Sequence, residues 1–193
     1  MPSYLTLHIE LDRADSPGLV RRVYDALAES GAPFRGVHAW GCDPDMPLEA
    51  IIAWNQARLD RGFQLGMRQH VSKDYRQILL ALPPFSQARV FLMLRGDGVG
   101  FHLIVPEAEV DDAGTAALDR LARALWFTLR PRSIQSSGEY GAATSHRALL
   151  GGAPPDAQLF AILSEAYPAG PTGWRQEPVP GGRWVCRPST SSP

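Results

Sequence analysis

The sequence predicts one α+β domain over residues 1–188 with a flexible tail at 189–193. The expected architecture is a mixed β-sheet with a β-α-β start, a central antiparallel hairpin and four to five packed helices. Three observations predict it. Residues 4–11 alternate without a break: Leu5, Leu7, Ile9 and Leu11 point one way, and Tyr4, Thr6, His8 and Glu10 the other, the period of a half-buried strand. Residues 89–105 set two apolar runs around Gly96-Asp97-Gly98-Val99-Gly100, which reads as a hairpin covered on both faces. Leu118, Leu121, Leu125 and Leu129 recur at helical spacing.

Each element follows from its local chemistry. After the first strand, Ser16-Pro17 supplies a helix cap and a first-turn proline. Leu19, Val20, Val23 and Leu27 then form an apolar stripe, and Gly31 stops the helix. Residues 34–40 read as a second strand, and residues 42–47 as a turn. A helix over residues 48–61 points Leu48, Ile51, Ile52 and Leu59 inward and ends at Gly62. Ser72 is the expected cap of a third helix carrying Tyr75, Ile78, Leu79 and Leu82, with Pro83-Pro84 as its stop. Asp111 and Asp112 open the leucine-striped helix, and Pro131 ends it. Residues 132–135 read as a short strand and residues 136–152, small and polar, as loop. Pro154-Pro155-Asp156 reads as the start of a helix with Leu159, Ile162 and Leu163, and the Trp174 to Cys186 region as a closing hairpin.

Composition narrows the function. The chain has 193 residues, 45% hydrophobic and 20% charged, with a net charge of −1. That size buries a sufficient core without metal or disulfide, and that charge predicts no general affinity for nucleic acid or anionic membrane. No apolar run reaches the length of a membrane span, and His8 and Glu10 break the first strand in a way no secretory leader does. A cytoplasmic protein is therefore expected. Lys73 is the only lysine among 19 basic residues, which, with abundant Ala, Gly and Pro, matches the codon bias of a GC-rich bacterial genome.

Reactive chemistry has few candidates. Gly96 to Gly100 is not a phosphate loop, because a strand rather than a helix follows it. The five histidines have no metal-ligand spacing, and Cys42 and Cys186 form no paired motif, so no metal or cofactor is expected. The best nucleophile is Cys42, after Gly41 at a strand end and ahead of a helix, where a thiol pKa falls. Its base would be His8, His38 or His102, all on expected strands. That set defines a small cysteine-dependent hydrolase or acyl transferase as the alternative function.

Surface recognition has more candidates. Asp43 and Asp45, and then Glu107, Glu109, Asp111 and Asp112, cluster in sequence; they suit a helix N-terminus or a basic protein partner. Trp174 and Trp184, beside Arg175 and Arg183, have the composition of an interface hot spot. In size, α+β pattern and composition, together with the helix Ile51-Ile52-Ala53-Trp54-Asn55-Gln56 and the loop Ser136-Ser137-Gly138-Glu139, the chain resembles the immunity proteins encoded beside bacterial secreted toxins, including those of polymorphic-toxin and type VI secretion systems. The resemblance implies a non-catalytic binding module that plugs a cognate toxin, often a nuclease, by complementary charge and shape.

Overall fold

The alternation of the first strand organises the molecule. In the computed structural model, which describes residues 3–12, 17–37, 45–64, 76–95, 98–139, 141–168 and 171–188, Tyr4–Asp12 is β1 and stands at the middle of a nine-stranded sheet. The other elements in chain order are α1 (Leu19–Glu29), β2 (Phe34–Val37), α2 (Leu48–Gln64), β3 (Ile78–Leu80), β4 (Ala88–Arg95), β5 (Gly98–Pro106), a 3₁₀ turn (Glu107–Glu109), α3 (Asp112–Leu129), β6 (Ser133–Gly138), α4 (His146–Leu150), β7 (Ala161–Ser164), β8 (Arg175–Val179) and β9 (Gly182–Cys186). The strand order is β2-β3-β4-β5-β1-β6-β7-β9-β8. Every strand pairing is antiparallel, and the one parallel contact among the described residues is an isolated bridge between Ser136 and Ala157. The expected mixed sheet is thus corrected. β1 and β2 do run the same way, but β5, β4 and β3 lie between them.

Cross-strand register assigns each face. His8 stands opposite His102 on β5 and Gln135 on β6, and His102 opposite Phe91 on β4. Directly opposed residues share a face, so these four lie on one side. The other side carries Leu5, Leu7, Ile9 and Leu11 with Phe101, Leu103, Val90 and Leu92. All are buried in one core with Val20, Val23 and Leu27 of α1 and Leu118, Leu121 and Leu125 of α3. α1 touches both α2 and α3, so the three long helices cover a single face. The opposite face is polar near its centre. Thr6, His8, Glu10, His102, Ser133, Gln135 and Ser137 are all buried there or at its margin. A second small core of Leu149, Ala157, Ala161, Leu163, Tyr167 and Val185 packs beside this polar strip.

Helix ends are set by local hydrogen bonds. Gly31, at φ 86°, lets Ala32 N–H bond Leu27 C=O at 2.8 Å and Gly31 N–H bond Ala28 C=O at 3.1 Å, the Schellman closure of α1. Asp111 caps α3 by accepting from Gly114 N–H at 2.8 Å. The start of α1 departs from expectation: Gly18, with no side-chain bond, holds the cap position, and Ser16 lies outside the described residues. α2 continues past Gly62, because a Cβ there would stand 2.2 Å from Leu94 Cδ1; glycine allows close approach to β4 and does not stop the helix.

Three further expectations change. Ile78–Leu80 is a strand, with Ile78 opposite Val90 and Leu80 opposite Ala88, so no helix carries Ile78 and Leu79. The expected helix around Leu159, Ile162 and Leu163 is strand β7. Ile162 enters the main core and Leu163 the small one, so adjacent residues serve opposite faces. Within the expected loop at 136–152, β6 runs on to Gly138 and α4 forms, capped by Ser145, whose hydroxyl accepts from Ala148 N–H at 3.3 Å.

Candidate protein-binding surface

The polar strip brings two of the expected histidines together. The His8 and His102 rings meet edge to face, 4.6 Å between centroids, and Phe91 lies 5.1 Å from His102. His8 Nε2 is 2.6 Å from Ser137 Oγ, which also reaches Gly141 C=O at 3.3 Å. A hydroxyl carries one proton. Given to Gly141, it leaves Ser137 accepting from His8; given to His8, it makes Ser137 a nucleophile beside its base. The gap lined by His8, Glu10, His102, Gln135 and Ala143 has no room for a water molecule. A Cβ at 141 would fall 2.7 Å from Ser137 Cβ, so Gly141 seats the turn directly on the serine. The contact pair His8–Ser137 is not legible in the sequence, because it joins residues 129 apart. Cys42, His38 and Asp43 lie outside the described residues; Cys186 is a free, half-buried thiol on β9. Among the described residues no group of three or more His, Cys, Asp or Glu is placed to hold a metal ion.

The acidic cluster is used locally. Glu107 accepts from Gln158 Nε2 at 2.8 Å, Glu109 accepts from the Ser86 backbone N–H at 2.8 Å and from its hydroxyl, and Asp111 is the α3 cap. Hydrogen bonds from Ser3 and Gln158 hold the Glu107 carboxyl below the usual range. Asp112, in the first turn of α3, and Asp45, ahead of α2, are exposed.

The residues of the expected Trp–Arg hot spot also make contacts within the fold: Trp174, Arg183 and Trp184 are half-buried, and Arg175 is exposed. Trp184 donates from Nε1 to Asp119 at 2.8 Å, stacks on Phe160 at 6.0 Å and carries the Arg123 and Arg175 guanidinium groups 5.4 and 5.8 Å from its ring. It clamps the β8–β9 hairpin to α3. Trp174 packs on the small core under Arg187, and Arg183 donates to Tyr167 C=O at 2.9 Å and to Pro168 C=O. Glu177 of β8 ties the same hairpin to α3 through Arg123 at 3.1 Å and pairs with Arg175 of its own strand at 2.6 Å. The Arg123 hydrogen bond is the main cause that holds the Glu177 carboxyl below its ordinary range. A lowered folded-state pKa adds stability above the unfolded-state value and loses it as pH falls. Glu177→Gln should therefore flatten the decline of thermal midpoint below about pH 4.3, the ordinary glutamate value; an unchanged profile would show the pair to be inert.

Three exposed aromatics remain among the described residues. Phe127 is 68% exposed near the C-terminal end of α3. It borders a cleft of about 170 Å³ with Trp126, Arg130 and Gly181, and Arg130 also lines a larger cleft of about 490 Å³ between α1 and the end of α3. Arg130, the one described non-glycine residue with positive φ (48°), ends the helix and separates the two clefts. The signal was present in the sequence: residue 127 falls off the 118, 121, 125, 129 stripe, so an aromatic there has no core to enter. Trp54, 38% exposed on α2, and Phe34, 37% exposed at the start of β2, are the others. No helix among the described residues is long and apolar enough to cross a membrane. No protein-family model matches the chain, and no curated protein matches it as a relative.

Proposed function

We propose that the protein is a non-catalytic protein-binding module, specifically an immunity protein that neutralises a cognate bacterial toxin by covering its active site. The observation that carries this reading is Phe127, a large apolar side chain 68% exposed at the border of the smaller cleft, which it lines together with Arg130. Aromatic and arginine side chains next to concave surface are the composition of interface hot spots, and burying Phe127 on a partner recovers apolar transfer energy that folding leaves unused. In this role the chain acts in the cytoplasm of the producing cell.

The test is co-expression with the product of an adjacent toxin-like reading frame. A stoichiometric complex that suppresses the toxin is expected, and Phe127→Ser should weaken it by about tenfold or more without moving the thermal midpoint. Recovery of the chain alone from expression of its whole operon, or a complex indifferent to Phe127→Ser, would overturn the reading.

A further inference from the structure

α2 separates its charges. Its acids lie toward α1: Glu49 is 3.6 Å from Arg21, and Asp60 accepts from Gln56 at 2.8 Å while Gln56 itself accepts from Val20 N–H. The stripe Trp54, Arg58 and Arg61, at i, i+4 and i+7, carries no carboxylate. Arg58 and Arg61 form no ion pair among the described residues. Two guanidinium groups stand over the Trp54 ring, Arg58 at 4.8 Å and Arg76 at 4.4 Å from its centroid. The arrangement is built from below. Asn55, fully buried, accepts from Arg76 N–H at 2.8 Å and donates to Arg76 C=O at 3.1 Å and to Tyr24 Oη at 3.0 Å, which fixes the backbone that places Arg76 over the indole.

From this we infer that the α2 face is a docking surface for an acidic polypeptide segment. The Arg58 guanidinium, stacked on the indole, is pre-ordered, and its planar N–H fork suits bidentate carboxylate contacts. The positive stripe is complementary to a run of Glu or Asp, and the exposed indole edge gives such a segment apolar contact. This inference stands apart from the Phe127 reading, since the surface lies on another helix.

The probe is a fluorescein-labelled glutamate-rich peptide, read by anisotropy against the full chain. Binding is expected at about 50 mM salt and should weaken markedly by about 300 mM, where screening shortens the reach of exposed charge. Arg58→Glu and Arg61→Glu should each reduce affinity by about tenfold. The charge-matched change Arg120→Glu, on exposed α3 surface, should leave it within about twofold. No binding at low salt, equal loss in Arg120→Glu, or tighter binding of a single-stranded oligonucleotide of the same length would each overturn the proposal. Unchanged thermal midpoints in the two α2 variants confirm that affinity, not folding, is being read.

Discussion

Phe101→Ala is expected to lower the unfolding free energy by about 3–5 kcal/mol, enough to take a large share of the stability of a domain this size. Phe101 is fully buried on β5, opposite Ile9 of β1 and Leu92 of β4, and faces the helical layer. It is among the largest fully buried side chains in the described structure. Two features make its site slow to collapse. Its strand is held on both edges by antiparallel neighbours, and its backbone neighbours face the other way, with His102 in the polar strip. A cavity here would be bordered by ladder backbone that cannot shift without breaking hydrogen bonds on both sides. Urea unfolding followed by far-UV circular dichroism reads the change directly. The surface variant Phe127→Ser supplies the contrast, because surface substitutions fall within about 0.5 kcal/mol. A loss under about 1 kcal/mol for Phe101→Ala would mean that the sheet and helices do not close over this face as described.

The same residues show which parts of the fold were legible. Strict alternation at 4–11 gave a strand because only one face of β1 is apolar; its place at the middle of the sheet and the burial of its polar face, expected to be half-buried, left no mark in the alternation. The leucine stripe of α3 was legible for the corresponding reason at a period of 3.6. Ile162 and Leu163 were misleading. Neighbours that are both apolar fit a helix stripe as well as a strand with two cores, and only the presence of the small core beside Tyr167 decides between them. The candidate surfaces were read less well. Trp174 and Trp184 looked exposed because they sit among Pro and Gly, but Arg123 and Asp119 of α3 reach across to Trp184 and the small core receives Trp174. Trp184 and Asp119 lie 65 positions apart in the chain, and such a contact leaves no local trace. Phe127 and Trp54, in contrast, carry a local signal that the sequence reading did not take up, since both are aromatics out of phase with the apolar stripes of their own helices.

Ser136→Ala is the sharper test, since it alters a residue whose polarity suggested a surface loop. The hydroxyl is fully buried. It donates to Phe160 C=O at 2.7 Å and accepts from Leu159 N–H at 2.9 Å and Phe160 N–H at 3.1 Å, while the Ser136 C=O accepts from Gln158 N–H at 3.0 Å. One side chain therefore supplies the hydrogen bonds that a neighbouring strand would otherwise provide to the chain entering β7. Alanine keeps the shape but removes the acceptor for two amides and the donor for one carbonyl. Each buried group left unmatched costs about 1–3 kcal/mol, so a loss of about 2–4 kcal/mol is expected after partial relaxation. The effect should also reach the hairpin: Phe160 stacks on Trp184, so movement of the 159–160 backbone should change tryptophan emission in the folded protein. If Ser136→Ala unfolds like the parent with unchanged emission, the hydroxyl does not join β6 to β7. Small polar residues in this chain are then spacers, as their composition first suggested, and the buried serines of β6 lose their structural explanation.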